Sequence, residues 1–405
     1  MGVFRILIIC SVVLLGSCGM NKSEGFSVIS SDVKFGEKDY ENIVVPSNEL
    51  GFSLLNKVEP NSDNNVFLSP ASLYMLLSIV YNGAEGKTKE EMAELLRFED
   101  LSKREVNEAN ASLLHSLYKA SEKVKLLIAN SLWLDERFTF EQDFVDYAEK
   151  YFNGEIKEVP LSSSKTVKEI NSWVKKATNN LIEEIVEGPF DERSVSFLVN
   201  AIYFSGEWTY SFNKELVEDV FYQNGERKLI IPFMKLERKL PYVETDRFQG
   251  ISLPYGNGEM MMNIFLPKEK VKVDDLAEEI ATWQGDFEER EGTLLLPKFK
   301  LEYETTLNEP LIALGMKDAF SEEKANFSAM IKDDEIYLNT VKQKTFISVH
   351  EEGTEAAGVT SAEFRLTSAP VDPPFYMEVD RPFIFTILDK ETGIILFVGK
   401  INRPT

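Results

Sequence analysis

Residues 351–368 are compatible with two structures, a strand inside a sheet and an exposed loop. In a strand, alternate side chains point to opposite faces of the sheet. From Thr354 onward, one face of this stretch would carry only uncharged residues, most of them small: Thr354, Ala356, Gly358, Thr360, Ala362, Phe364 and Leu366. The charged side chains of Glu355, Glu363 and Arg365 fall on the other face. This alternation is typical of a strand that enters the middle of a sheet, whereas the glycines and the nearby Pro370 favour a surface loop.

The rest of the chain predicts an α+β fold. Helical spacing predicts helices over 49–58, 88–96, 105–120, 140–152, 167–186, 273–287 and 307–314, and one that begins near Pro70. Strand-like segments dominate the second half, including the long run 336–349 and a C-terminal hairpin around 390–393. Helices and strands do not alternate strictly, which favours α+β over a parallel doubly wound sheet. We interpret residues 43–405 as one large domain, with 351–354 as the turn before the two-sided stretch.

Composition and motifs argue against several function classes. The formal charge of −23 argues against nucleic acid or an anionic membrane surface as a partner, because both need a cationic face. The chain has only two histidines, His115 and His350, and no His-Glu-x-x-His motif. It also lacks a Gly-x-Ser-x-Gly elbow and a phosphate-binding glycine loop. We therefore expect neither an enzyme nor a cofactor or metal site.

The N-terminus is similar to that of bacterial lipoproteins. Arg5 precedes an apolar run over 6–15 that is too short to span a bilayer, and Leu15-Gly16-Ser17-Cys18 resembles a lipobox. The resemblance implies that residues 1–17 are a signal peptide, that Cys18 carries lipid, and that 18–42 are a tether. Gly19 is compatible with outer-membrane sorting, so the predicted location is the bacterial cell envelope, facing the periplasm or the exterior. The alternative is an ordinary secretory signal with an incidental cysteine.

Four segments resemble the serpin family. The stretch Glu351-Glu352-Gly353-Thr354-Glu355-Ala356-Ala357 is similar to the hinge of the serpin reactive-centre loop. Segments 65–72, 200–208 and 377–387 resemble, in family order, the entry to the second helix, a strand with a characteristic Asn and Trp, and the C-terminal signature. The resemblance implies helices clustered on large mixed and antiparallel sheets, with an exposed, insertable loop over about 351–374.

This resemblance implies a covalent suicide inhibitor of serine or cysteine endopeptidases. In that mechanism the protease cleaves the loop, forms an acyl-enzyme, and is carried along as the loop inserts into the main sheet. The small hinge residues Thr354, Ala356 and Gly358 would not obstruct insertion, and Gly353 and Ala357 belong to the same hinge. The protein would act as a monomer that reaches the membrane only through its lipid. The alternative is a non-inhibitory serpin that serves as a binding or structural protein of the envelope.

Family spacing places the cleaved bond between Thr367 and Ser368. A β-branched residue before this bond suits an elastase-like pocket. Arg365 would instead present a trypsin-like site, and Leu366 a chymotrypsin- or subtilisin-like one. All three positions stay open at this point.

Supporting residues are implied by the same resemblance. Ser69, Ser72 and Asn200 match the polar cluster below the point where strands of the main sheet separate. Gln343 stands where the family usually has histidine; an amide both donates and accepts, but it does not titrate as imidazole does. Glu351 and Lys298 match a charge pair near the hinge. Trp208 matches the family's tryptophan, for which a core position is the simpler interpretation and a gating role the lesser one.

Overall fold

The helices of this computed structural model surround two large sheets and account for much of the first half of the chain. The structure describes residues 29, 33–118, 123–214, 217–223, 227–283, 285–332, 336–354 and 373–404. The predicted signal peptide, Cys18, the hinge residues Glu355, Ala356, Ala357 and Gly358, and the cleavage candidates Arg365, Leu366, Thr367 and Ser368 lie outside these residues. The helices are α1 (Glu41–Leu55), α2 (Pro70–Gly83), α3 (Gly86–Leu96), α4 (Lys103–Leu117), α5 (Gln142–Phe152), α6 (Ser164–Ala177), α7 (Val273–Thr282) and α8 (Asn308–Ala313).

The strands dominate the second half, as the sequence predicts. They are β1 (Val66–Leu68), β2 (Val124–Asp135), β3 (Glu155–Val159), β4 (Ser196–Glu207), β5 (Val217–Gln223), β6 (Arg227–Glu244), β7 (Phe248–Tyr255), β8 (Met260–Pro267), β9 (Glu288–Pro297), β10 (Phe299–Thr306), β11 (Thr340–His350), β12 (Gly353–Thr354), β13 (Phe375–Glu378), β14 (Phe383–Asp389) and β15 (Ile395–Ile401). Helices and strands therefore occur in the irregular order of an α+β fold.

Two sheets account for these described strands. The main sheet has the order β10-β11-β12-β4-β2-β3, with an additional direct pairing of β11 with β4. The second sheet has the order β1-β15-β14-β8-β7-β6-β9-β13, and β5 pairs with β6. Most β-pairs are antiparallel, but β2–β3, β4–β11 and β9–β13 are parallel. The main sheet is therefore mixed.

Local sequence explains how several elements begin and end. Pro70 opens α2, and the Ser69 side chain accepts a hydrogen bond from the Ser72 backbone N–H, as a helix N-cap does. Helix α2 is buried along its whole length and passes beneath the main sheet's polar cluster. The helix predicted over 167–186 is wrong beyond Ala177, because Asn179 and Asn180 adopt left-handed backbone angles, with φ of 52° and 67°. After α6, residues 178–187 form a covering segment on the face of the main sheet.

Part of the segment interpreted as a tether lies against the domain. The Phe35 ring centroid is 5.4 Å from that of His115, and the Ser112 hydroxyl donates to the Glu37 carbonyl at 3.2 Å. Tyr40 is buried, and α1 begins at Glu41. His115 thus has an aromatic packing role in α4. Among the described residues, no helix combines the length and apolar character that a membrane crossing requires.

Candidate functional site

The candidate site is the boundary between β4 and β11 in the main sheet. At one end the two strands pair directly, with Thr340–Lys344 opposite Phe197–Ala201. At the other end β12 lies between them and pairs with both, so that Thr354 is opposite Val349 on one side and Gly206 on the other. The chain leaves β11 at His350, turns at Glu351 and Glu352, and re-enters the same sheet at once. The start of the predicted loop is therefore already a strand of the main sheet.

Thr354 occupies a closed polar position inside the sheet. Its side chain has no solvent exposure, and its hydroxyl lies 2.8 Å from the Tyr255 hydroxyl. Burial raises the pKa of Tyr255, so this phenol stays protonated and can act as donor or acceptor. A small residue with one hydroxyl fits this position without leaving a buried polar atom unpaired.

Gly353 is required by the backbone next to Thr354. Its φ of +150° lies in a region that side chains disfavour, and a Cβ atom there would stand 2.2 Å from the Gly206 carbonyl oxygen. On β4, a Cβ atom at Gly206 would itself stand 2.9 Å from a ring carbon of Tyr255. The two glycines together allow β12 and Tyr255 to lie close against β4.

Trp208 contacts the backbone at the turn into β12. Its backbone N–H donates to the Glu352 carbonyl at 3.0 Å, and its indole N–H donates to the His350 carbonyl at 2.9 Å. Its ring stacks on Tyr255 with centroids 4.1 Å apart. Trp208 is only 5% exposed, so the core position predicted from sequence and direct contact with the hinge both hold.

Charged side chains fix the outer side of the turn. Lys298 forms an ion pair with Glu351, and Lys214 forms one with Glu352 at 3.0 Å. Burial raises the pKa of Glu351, but the hydrogen bond and charge of Lys298 outweigh this and hold that pKa below its ordinary value. The Phe212 N–H also donates to the Glu351 carbonyl at 2.9 Å. The predicted pairing of Lys298 with Glu351 is present in the structure.

A buried amide and hydroxyl cluster lies where β4 and β11 pair directly. Gln343 Nε2 donates to Asn200 Oδ1 at 2.6 Å and to the Ser69 carbonyl at 3.0 Å, and Gln343 Oε1 accepts from the Ser69 N–H at 2.9 Å. Asn200 Nδ2 donates to Ser72 Oγ and, at 2.6 Å, to Asn130 Oδ1. Ser69 Oγ donates to the Leu396 carbonyl at 2.7 Å, which connects the cluster to the second sheet.

This cluster closes the sheet without a titratable group. Amides and hydroxyls keep the same charge across the physiological pH range, so protonation cannot break the Gln343 hydrogen bonds. Separating β4 from β11 would instead leave buried donors and acceptors unpaired, at about 1–3 kcal/mol each. Breaking the hydrogen bonds of this cluster therefore involves no change of protonation among its own side chains.

The covering segment contacts the outer face of the main sheet, along the boundary between β4 and β11. Lys342 Nζ donates to the Ile185 carbonyl and Lys344 Nζ to the Glu184 carbonyl, each at 2.8 Å. On the α6 side, Asn171 Oδ1 accepts from the Ile185 N–H at 2.9 Å. Apolar side chains of the segment and of the sheet share one cluster that includes Ile182, Ile185, Val186, Phe197, Val199 and Ala201. The segment thus bridges the strands that a new central strand would have to separate.

Among the described residues, acidic and histidine side chains form no group of three suited to a metal ion. The site's chemistry is instead that of strand pairing: β12 lies between β4 and β11 at one end, and the closed polar cluster joins the two strands further along. A family model described as Serpin (serine protease inhibitor) matches residues 46–404.

The chain belongs to the serpin family. It is 31% identical over 382 residues to an uncharacterized serpin-like protein of Methanosarcina acetivorans, covering 90% of this chain and 86% of that protein. It is also 31% identical over 388 residues to Serpin B13 of Homo sapiens, covering 88% of this chain and 98% of the human protein.

Among solved structures, the native state of the thermophilic serpin Tengpin matches with a TM-score of 0.79 at 31% identity, covering 92% of this chain and 96% of Tengpin. The serpin fold predicted from the sequence is confirmed.

The structure gathers the predicted serpin residues into two places on one line. Ser69, Ser72, Asn200 and Gln343 meet at the closed part, and Trp208, Lys298, Glu351, Gly353 and Thr354 meet at the entrance. Sequence reasoning missed Tyr255, which local pattern marks only as the start of a hairpin turn at 255–258. It also missed Asn130 and the two lysines of β11. No local pattern identifies them, because their partners come from distant parts of the chain.

Proposed function

We propose that this serpin inhibits serine endopeptidases, and cysteine endopeptidases of matching specificity, by covalent trapping. The observation that supports this most is the burial of Thr354 between β4 and β11 in the uncleaved chain. The loop starts inside the sheet, and its next inward positions, Ala356, Gly358 and Thr360, are small or uncharged. Insertion of the remaining loop would therefore extend a strand that already exists.

The proposed reaction begins as the protease's ordinary cleavage of a peptide substrate. The protease serine oxygen attacks the carbonyl carbon of Thr367, the bond to Ser368 breaks, and the protease histidine passes the proton to the new amine of Ser368. An ester then joins the protease to Thr367. Insertion of 354–367 moves that ester by up to about 46 Å, at about 3.3 Å per residue, and displaces the protease before water can hydrolyse the ester.

Three cleavage positions distinguish three protease classes. Thr367 suits an elastase-like pocket, Leu366 a chymotrypsin- or subtilisin-like pocket, and Arg365 a trypsin-like one. Cleavage after Arg365 would leave a strand two residues shorter than cleavage after Thr367, and so a shift smaller by about 7 Å. We favour Thr367 because the family's spacing from the hinge places the cleaved bond after it.

The deciding experiment is incubation with elastase-, trypsin- and subtilisin-like proteases, followed by denaturing electrophoresis and mass spectrometry of the released peptide. We expect an adduct that survives denaturation and a released fragment that begins at Ser368. Cleavage of the loop by every protease without any adduct would contradict inhibition and favour a non-inhibitory serpin. A matched control is the same panel with each protease's active-site serine blocked beforehand, which should give no adduct.

We further propose that Cys18 carries lipid and holds the inhibitor at a bacterial cell envelope. The support is the lipobox-like Leu15-Gly16-Ser17-Cys18 after a short apolar run. In a bacterial host, we expect the protein to incorporate a labelled palmitate analogue and to fractionate with membranes, and Cys18→Ser to lose both properties. Secretion of unlabelled wild-type protein would contradict the anchor and favour an ordinary signal peptide.

A further inference from the structure

Loop insertion has a register problem that small side chains alone do not solve. Because the side chains of a strand alternate, a slip of one residue would turn Glu355 and Glu363 into the sheet and Thr354 and Ala356 out of it. A glycine-rich strand specifies its register weakly, and the start of this strand contains Gly353 and Gly358. Something at the entrance has to select Thr354, and not Glu355, as the first inward residue.

Tyr255 lies against Thr354, where it can favour one register of the inserting strand over another. It is completely buried and belongs to β7 of the second sheet, yet its hydroxyl reaches the Thr354 hydroxyl in the main sheet at 2.8 Å. Within the described part of the chain, this phenol forms its hydrogen bond with Thr354. A buried phenol without a partner is costly, so a register that places a hydroxyl here is preferred over one that does not.

The ring of Tyr255 is held rigidly enough to act as a fixed reference. It stacks on Trp208 with centroids 4.1 Å apart and meets the edge of Phe204 at 5.0 Å. Its backbone is tied to the end of β4, since the Gly256 N–H donates to the Glu207 carbonyl at 2.8 Å and the Thr209 N–H donates to the Pro254 carbonyl at 2.9 Å. The hydroxyl therefore has little freedom to move with a shifted strand.

We propose that Tyr255 is a positioning residue: its hydroxyl seats Thr354 in the intact chain and so sets the register in which the cleaved loop enters the main sheet. The proposal rests on the proposed inhibitory function and adds to it a residue outside the loop. Insertion then begins from two residues that are already paired on both sides, and the partition between trapping and release depends on Tyr255.

The test compares Tyr255→Phe, Thr354→Val and the double variant with the wild type. We expect each single variant to raise the consumption ratio, defined as the number of inhibitor molecules cleaved without trapping for each protease trapped, by about fivefold, the factor that corresponds to one hydrogen bond. The rate at which the protease first attacks the loop should stay the same. The double variant should be no worse than either single variant, because both remove the same hydrogen bond, and Thr354→Ser should behave like the wild type.

Tyr303→Phe is the matched control for a general loss of stability. Tyr303 is buried in β10 of the main sheet, and its hydroxyl donates to the Glu59 carbonyl at 2.6 Å, away from the hinge. We expect this variant to leave the consumption ratio unchanged. Equal effects of Tyr303→Phe and Tyr255→Phe, or additive effects in the double variant, would overturn the proposal.

A second measurement separates this proposal from the inhibitory function itself. Each variant is nicked in the loop by a protease that forms no adduct, and the gain in thermal stability is measured over time. If wild type traps no protease but gains stability after nicking faster than Tyr255→Phe, the proposed function fails and the positioning role stands. If Tyr255→Phe gains stability at the wild-type rate, the positioning role fails whatever the outcome with proteases.

Discussion

Position 354 combines two requirements in one side chain. The residue has to be small enough to lie between β4 and β11, and it has to offer a hydroxyl to Tyr255. Glycine at position 353 meets a third requirement, since the backbone there comes too close to Gly206 for any side chain. The hinge is therefore determined by contacts on both strands and by a residue of the other sheet.

Thr354→Arg should convert the inhibitor into a substrate. An arginine at this buried position would bring a charge into the sheet, at a cost far above that of a neutral residue, so the loop would be cut and the acyl-enzyme hydrolysed before insertion. Glu355→Arg is the control at the next position, which faces outward by the strand period and should keep trapping. The amount of denaturation-resistant adduct measures both, and undiminished adduct with Thr354→Arg would refute the expectation.

The hairpin between β14 and β15 contains a carboxylate that is buried. Burial raises the pKa of Asp389, although the Thr392 N–H and hydroxyl both donate to it, at 2.8 and 2.7 Å. Because the folded pKa lies above the unfolded one, ionisation costs stability. The stabilising contribution is complete below the unfolded pKa of about 4 and is lost as the pH rises through the folded pKa.

Asp389→Asn should therefore stabilise the protein at pH 7 but not at acid pH. The amide oxygen can still accept from Thr392, and the charge is gone. We expect a gain of about 1 kcal/mol, or roughly 2 °C in the thermal midpoint, at pH 7. Glu391→Gln, at an exposed position of the same hairpin, should give only a small part of this gain, because the Glu391 charge raises the pKa of Asp389 less than burial does. Equal thermal midpoints for Asp389→Asn and the wild type at every pH would show that the buried Asp389 carboxylate does not lower the stability of the protein.

The covering segment should control how readily β4 and β11 separate. Lys344 Nζ binds the Glu184 carbonyl and also pairs with Glu302 at 2.8 Å, so it ties β11 to this segment and to β10. Lys344→Met keeps the length of the side chain and removes these bonds. We expect faster insertion after cleavage and a shorter lifetime of inhibitory activity in the intact protein on warming, by about fivefold each for one hydrogen bond.

Lys300→Met provides the comparison for Lys344→Met. Lys300 is an exposed residue of neighbouring β10 whose ammonium lies 5.3 Å from the Phe346 ring, and within the described part of the chain it has no bond to the covering segment. Its replacement should leave the lifetime near the wild-type value. Equal lifetimes for the two variants would mean that the segment does not restrain the strands.

The whole molecule should become more stable when its loop is cut. The described part of β12 lies between β4 and β11 at one end, whereas further along these two strands pair directly, Phe197–Ala201 with Thr340–Lys344. A nicked loop that completes this strand adds backbone hydrogen bonds at about 1 kcal/mol each and buries apolar surface, against the entropy of ordering the loop. The uncut form is then a kinetically trapped state.

We expect the nicked protein to melt at least about 10 °C above the intact one, which corresponds to a net gain of several kcal/mol. Scanning calorimetry before and after limited proteolysis measures this difference. Thr354→Arg, nicked in the same way, should show a much smaller rise. A nicked wild type that melts no higher than the intact protein would remove the energy source on which trapping depends.

Much of the candidate site could be predicted because short motifs carry the resemblance to serpins, which supplied the hinge 351–357 and the distant residues Asn200, Gln343, Trp208 and Lys298. The helix start near Pro70 and the alternation beyond Thr354 are local patterns with local physical causes. The helix predicted over 167–186 is too long, since helical spacing continues past Ala177 while the backbone turns left-handed at Asn179. Spacing alone does not reveal a turn that tertiary contacts stabilise.

The sequence by itself determined the α+β class, the family and the two-sided character of the loop, because periodicity and short motifs depend on neighbours along the chain. Only the tertiary structure decided that Thr354 is already inside the sheet, that Tyr255 is its partner, and that Gln343 joins β11 to Asn200 of β4. Those facts depend on contacts between residues about 100 or more positions apart, which burial and sheet register bring together.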